Sequence, residues 1–256
     1  MRHRSKKGKS YDSFYFMRDR SGWIPDFIHS HSLCRMDHRQ IQSYGKGNQL
    51  SSDRSGSISF YPVDIRCEAD CYRRGKCTTD VPVLYIGNHR SFFDVPITYP
   101  RCPIRTGYIA KKEMEKVPLL STWMKRLHCL FLDRNDLKQG LKTILTAIEK
   151  VKSGISICIF PEGTRNKNED ELDMLPFHEG SFKIAAKTNC PIIPMAISGS
   201  ADIWENHFPR VKKTHVILEY GKPIYIDQLE KEDKKHLGAY TQNIIHEMLV
   251  KNKAQL

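Results

Sequence analysis

From residue 81 onward, short apolar runs alternate with longer stretches in which apolar residues recur every three or four positions. Val81 to Ile86 (VPVLYI) is a β-rich run stopped at Gly87, which predicts a buried strand leading into a loop. Cys129 to Leu132 (CLFL) predicts a second strand, ending at Asp133. Leu137, Leu141, Ile144, Leu145, Ile148 and Val151 then fall at helical spacing, with a stop near Gly154, so an amphipathic helix is expected. It feeds a strand over Ile155 to Phe160 (ISICIF). After a polar stretch from Lys167 to Asp173, the spacing predicts a helix over Phe177 to Lys187 and an apolar run from Ile192 to Ile197. A strand over Val216 to Tyr220 and a closing helix marked by Leu237, Tyr240, Ile244, Ile245 and Met248 complete the order. Strands interleaved with helices predict an α/β sheet covered by helices.

Residues 1–79 follow a different rule. They mix basic residues with Ser, Gly and His, and they show no convincing strand or long helix. The expected organisation is therefore an irregular basic N-terminal extension over 1–79 and one folded domain over 80–256, a size suited to a single core. The extension reads either as a flexible basic segment with little apolar surface to bury, or as a membrane-binding arm.

Charge sharpens this division. The chain carries 41 Lys and Arg against 29 Asp and Glu, a net +12. Residues 1–80 hold 15 basic and 9 acidic side chains, so half of the excess lies in less than a third of the chain. Such a balance points to polyanions: nucleic acid, an anionic lipid surface or a phosphorylated substrate. The eight cysteines are irregularly spaced and suit a reducing, cytoplasmic compartment. Cys67, Cys71 and Cys77 lack the paired short knuckles of a structural zinc site, so no metal is expected. No uncharged apolar run reaches the roughly 18 to 20 residues of a bilayer span, and no basic head precedes an apolar stretch at the N-terminus. Neither a transmembrane helix nor a cleavable signal is expected, and work on lipid would proceed from the surface, through basic and amphipathic patches.

The segment Asn88-His89-Arg90-Ser91-Phe92-Phe93-Asp94 follows directly on the first strand. Five helical steps would put His89 and Asp94 on different faces, so they meet only if the chain turns between them. Ser91 is a natural N-cap, which starts a helix at Phe92 and leaves His89 in the loop and Asp94 in the first turn. Asp94 then folds back on one imidazole nitrogen and fixes the tautomer, leaving the other as a general base for a substrate alcohol. Backbone amides after Ser91 are candidates to stabilise an oxyanion. A blander reading stays open: Asp94, three residues after Ser91, is only the acidic member of a capping-box-like start.

Phe160-Pro161-Glu162-Gly163-Thr164-Arg165 follows another strand. Gly163 permits a tight turn, and the Thr164 hydroxyl and Arg165 guanidinium are of the type that grips phosphate. The alternative is an ordinary turn with a weak Glu162–Arg165 surface pair. Leu132-Asp133-Arg134-Asn135 places one more arginine at a strand end, where a solvated helix start is the competing reading.

Taken in order, NHRSFFD, AKKEMEKVPLL through LFLDRN, FPEGTRN and CPIIPMAI resemble the four motifs of the glycerophospholipid acyltransferase family, which includes the lysophosphatidic acid acyltransferases. The resemblance runs from about Asp80 to the C-terminus and takes in FHEGSFKIA and GKPI. It implies a central mixed β-sheet flanked by helices, His89 as general base and Asp94 as its partner. Lys111 and Arg134 would contact the glycerol phosphate, while Glu162, Gly163, Thr164 and Arg165 would bind the acceptor and Pro194 would shape a wall. Where family members commonly have a leading helical segment and a V-x-G-x-E-N strand, this chain reads CEADCYRRGKCTTD.

The implied reaction moves an acyl group from acyl-CoA or acyl-carrier protein to the sn-2 hydroxyl of 1-acyl-glycerol 3-phosphate, giving phosphatidic acid without metal or redox cofactor. The expected partners are a lysophospholipid acceptor, the thioester donor and an anionic membrane, with peripheral attachment on the cytoplasmic face. Glycerol 3-phosphate or another lysolipid is the alternative acceptor. Nucleic-acid binding rests on charge alone, since helix-turn-helix, aromatic RNA-binding and zinc-knuckle patterns are absent from the sequence.

Overall fold

The computed structural model describes residues 81–256 in full and, upstream, the backbone of four short strands. The chain divides into two compact units, Met1–Met36 and Asp37–Leu256. In the first unit, β1 (Phe16–Asp19) pairs antiparallel with β2 (Gly22–Pro25).

The second unit is built on an eight-stranded mixed sheet. Its strands are β3 (Ser57–Phe60), β4 (Val63–Glu68), β5 (Leu84–Gly87), β6 (Thr106–Lys111), β7 (Leu130–Leu132), β8 (Ser156–Ile159), β9 (Ile192–Ser198) and β10 (His215–Tyr220). Their order across the sheet is β3-β4-β10-β9-β5-β8-β6-β7. The run β9-β5-β8-β6-β7 is parallel throughout, and β10 is antiparallel to β9. Parallel neighbours need crossovers, and helices supply them. Register is set near the site by Ile86 opposite both Ile159 and Pro194, which brings the ends of β5 and β8 level while β9 runs on to Ser198.

The helices are α1 (Asp94–Thr98), α2 (Leu120–Arg126), α3 (Leu137–Lys152), α4 (Lys183–Thr188), α5 (Lys231–Lys235) and α6 (Leu237–Lys253). Asp136 caps α3, its Oδ1 accepting from the amides of Lys138 and Gln139 at 2.9 and 3.1 Å. Ile144, Ala147, Ile148 and Val151 turn inward and join Leu84, Ile86, Ile157, Ile159, Ile192 and Ala196 of the sheet in one core with α4 and α6. Burying each larger aliphatic side chain is worth roughly 1.5–3 kcal/mol, so this layer fixes the angle of α3. The opposite face carries aromatic residues: Tyr85 meets Tyr220 edge-on, and the Tyr108 hydroxyl lies 2.7 Å from Thr98 Oγ1 of α1.

Three expectations change. The helix foreseen over Phe177–Lys187 starts as a 3-10 turn at Glu179–Phe182 and becomes α-helical only at Lys183. The His178 amide is drawn to Pro161 O instead of into a helical ladder. Leu137, Leu141 and Leu145, counted on the inward face of α3, are exposed, because 100° steps carry that row off the face centred on Ala147. Strands also occur where none was expected, at β1 to β4. The backbone of Cys67 belongs to β4, whereas its side chain, Cys71, Cys77 and the expected boundary at 79/80 lie outside the described residues.

Candidate active site

The parallel strands β5, β6, β7 and β8 all release their chains at the same end of the sheet, and the sequence-predicted site residues sit in the loops that follow. At the end of β5, the Asn88 side chain exchanges two 2.9 Å hydrogen bonds with the backbone of Ile197 on β9. That anchor lets the chain leave the sheet immediately afterwards, at His89.

Asp94 folds back as the five-residue spacing required. It is fully buried, and its Oδ2 lies 2.7 Å from His89 Nδ1. The same oxygen accepts from the amides of Arg90 and Ser91 at 2.9 and 2.8 Å, so one carboxylate holds both the ring and the loop that carries it. The α-helix begins at Asp94 itself, two residues later than expected, because Phe92 and Phe93 form a turn in which Ser91 Oγ accepts from the Phe93 amide. The His89 ring stacks on Phe160 at 4.5 Å and is 21% exposed. With Nδ1 engaged by Asp94, Nε2 has no hydrogen-bond partner among the described residues, which leaves a base facing outward.

Glu162 stands behind the histidine. Its Oε1 accepts from the His89 amide at 2.8 Å and its Oε2 from the Leu175 amide at 3.0 Å. The residue is buried, and burial pushes its carboxyl above the usual range against the pull of those two amides. Grouped by resemblance with the acceptor-binding residues, Glu162 is turned inward here, where it braces the His89 loop. The Asn166 amide closes the bracket by donating to His89 O at 2.7 Å.

Gly163 adopts φ +73°, and a Cβ there would come within 3.2 Å of the His178 ring and 3.5 Å of Arg134 Nε. The glycine thus provides both the left-handed turn and the room for an arginine and a histidine to approach the loop. Thr164 is exposed beside it. Arg165 does not pair with Glu162. Its guanidinium lies 4.1 Å from the Phe92 ring centroid and donates from Nη1 to Glu205 Oε1 at 2.9 Å. Glu205 also accepts from the Phe92 amide and from Ser91 Oγ, at 2.8 and 2.7 Å. A single carboxylate therefore ties the histidine loop to the arginine loop.

Arg134 is exposed and makes no hydrogen bond or ion pair among the described residues. Lys111, at the end of β6, pairs with Glu113 at 2.9 Å. That bond is the largest cause holding the Glu113 carboxyl below its usual range, with the charge of Arg134 adding to it. Pro194, on β9, is level with Ile86 of β5.

The amides after Ser91 are not free for an oxyanion: Phe92 N is given to Glu205, Phe93 N to Ser91 Oγ and Asp94 N to Ser91 O. Sequence reasoning also left Glu205, Arg90, Phe160 and His178 without roles. Arg90 is buried and clamps the carbonyls of Asn168 and Asp170, fixing the polar stretch after FPEGTR. Arg90 and Phe160 lie inside the motifs, whereas nothing in the sequence flags Glu205, 40 residues beyond Arg165. Among the described residues no cluster of three or more His, Cys, Asp or Glu is placed to hold a metal ion, and no helix is long and apolar enough to cross a membrane.

With this geometry in place, comparison with known proteins locates the chain. A family model described as Acyltransferase matches residues 68–198. A 1-acyl-sn-glycerol-3-phosphate acyltransferase of Cocos nucifera is 34% identical over 154 residues, covering 60% of this chain and 49% of that one. One of Haemophilus influenzae is 31% identical over 175 residues, covering 68% and 69%. The crystal structure of a 1-acyl-sn-glycerophosphate acyltransferase from Thermotoga maritima shares the fold, with a TM-score of 0.65 at 24% identity, over 85% of this chain and 80% of that one. The chain spans 49% to 65% of the length of the first three relatives by similarity. His89, Asp94, Glu162 and Arg165 all lie within the matched stretch, and the chain belongs to the acyltransferase family.

Proposed function

We propose that the protein transfers a fatty acyl group from a thioester, acyl-CoA or acyl-carrier protein, to the sn-2 hydroxyl of 1-acyl-glycerol 3-phosphate. The observation that carries this reading is the His89–Asp94 pair, with Nδ1 held at 2.7 Å and Nε2 left outward. Similarity to proteins described as 1-acyl-sn-glycerol-3-phosphate acyltransferases supports it.

His89 Nε2 takes the proton of the acceptor hydroxyl as its oxygen attacks the thioester carbonyl. The imidazolium that forms is stabilised by the buried carboxylate of Asp94. Collapse of the tetrahedral intermediate breaks the carbon–sulfur bond, and the departing thiolate recovers the proton from His89. Arg165, held over Phe92, and the unpaired Arg134 grip the acceptor phosphate, for which guanidinium is suited by its fixed fork of donors. This chemistry calls for no metal or redox cofactor. The enzyme works on the cytoplasmic surface of an anionic membrane, attached peripherally.

The direct test is thiol release from a labelled thioester with lysophosphatidic acid, run beside His89→Ala. Loss of the base should slow transfer by roughly two to four orders of magnitude. Near-full turnover by the variant would refute the assignment. A panel including glycerol 3-phosphate and other lysolipids reads acceptor choice, and the same assay with both donors reads the carrier.

A further inference from the structure

The outward face of α3 carries a feature that catalysis does not use. Leu137, Leu141 and Leu145 are 88%, 54% and 54% exposed, at intervals of four that keep them in one shallow row along the helix. The inward face of the same helix is already satisfied by Ile144, Ala147, Ile148 and Val151. Core packing therefore does not explain the leucines.

Two further observations give the row a direction and a sign. Lys138 and Lys142 each follow a leucine of the row, are exposed and make no ion pair among the described residues. Glu149, the acidic residue on this part of the helix, is paired with Lys152 at 3.0 Å. The row is thus apolar with uncompensated positive charge along one side. It also starts at the site: Leu137 is three residues after Arg134, whose Nε lies 3.5 Å from where a Cβ of Gly163 would stand. At the same end of the sheet, Leu119 is 66% exposed with a positive φ of 63°. It follows the Lys112–Lys116 turn, which packs beside β7.

We propose that the Leu137–Leu141–Leu145 row with Lys138 and Lys142 is the surface by which the protein docks on an anionic lipid bilayer, the helix lying in the interface with its leucines among the acyl chains. Apolar side chains beside unpaired lysines are what such a surface recognises. The proposal deepens the acyl-transfer reading, since a lipid acceptor would then leave the bilayer next to Arg134. On α2, by contrast, Met124 is buried and Trp123 packs toward Tyr99.

The test uses the full chain and co-sedimentation with phosphatidylcholine vesicles, with and without phosphatidylglycerol. Wild-type protein should bind the anionic vesicles, and the Leu141→Glu/Leu145→Glu variant should bind them about tenfold less or weaker. Lys138→Glu/Lys142→Glu should lose binding chiefly at low salt, where electrostatic attraction is strongest. Thermal melts of both variants verify folding at these exposed positions. Equal binding by wild type and the leucine variant would overturn the proposal. So would a wild-type dimer that the leucine variant converts to monomer without any change in vesicle binding, because the row would then be covered by a second copy of the chain. Turnover separates this from the reaction itself. The leucine variant should keep wild-type activity on a short-chain, water-soluble acceptor and lose it on a vesicle-embedded one. If wild-type protein turned over neither acceptor, the acyl-transfer reading would fall while vesicle binding still decided the docking surface.

Discussion

Asp94 engages an imidazole and two backbone amides with one oxygen, and that crowding determines what its replacement would do. In Asp94→Asn the amide oxygen can still accept from Arg90 and Ser91, so the loop should hold, but no negative charge remains for the imidazolium. We expect kcat to fall by roughly two to four orders of magnitude with the melting temperature little changed, measured by thiol release and calorimetry. Arg165→Lys keeps the charge but loses the planar fork and the stacking on Phe92. The acceptor KM should rise about tenfold with kcat largely kept, and an unchanged KM would argue against a phosphate grip. Much of this constellation was legible in the chain, because His89, Asp94 and the FPEGTR loop each follow a β-rich run. Two contacts were not. Glu205 is brought to Ser91, Phe92 and Arg165 by tertiary folding alone, and the inward turn of Glu162 depends on which amides lie behind it.

Elements defined by a strong period were readable, and those defined by neighbours were not. The buried strands β5, β8 and β9 appear as uninterrupted apolar runs, as expected of strands covered on both faces. Helix α3 was found by its period, yet its row of exposed leucines shows that periodicity locates a helix better than it locates the rim of its buried face. VDIRCE, the sequence of β4, alternates apolar and charged residues with period two, but it lies in a segment whose charge obscured the signal. Close approach between elements is similarly invisible in sequence. Gly107 on β6 lies under the turn at His128, and a Cβ there would collide with the backbone carbonyl of His128. Backbone has little room to yield, so Gly107→Ala should destabilise the fold by about 1–3 kcal/mol or more. Urea denaturation would show it as a lowered midpoint, and an unchanged midpoint would mean that β6 and the turn do not meet this closely.

For the molecule as a whole, the parallel core of the sheet gathers its chemistry at one end, where ligands of open α/β sheets bind. The same region carries a stability term that depends on pH. Burial pushes the Glu171 carboxyl up to about 7 from its ordinary 4.5, and both its oxygens take up the Gly199 amide, at 3.2 and 3.3 Å. The folded protein therefore keeps a proton there that the unfolded chain has released. Stability should decline as pH rises from about 4.5 to about 7, by on the order of 3 kcal/mol, with the raised Glu162 acting in the same sense. Glu171→Gln should flatten the profile over this window and melt higher than wild type at pH 8. A wild-type slope retained in that variant would place the titration elsewhere.

The family match ends at Ser198, whereas the carboxylate that joins the histidine and arginine loops is seven residues further on, and β10 beyond that. A fragment trimmed to the matched boundaries would retain the imidazole, its aspartate and both arginines, yet strip away the carboxylate brace and open one side of β9. Such a truncation would carry every residue of the four motifs and should still fail as a catalyst.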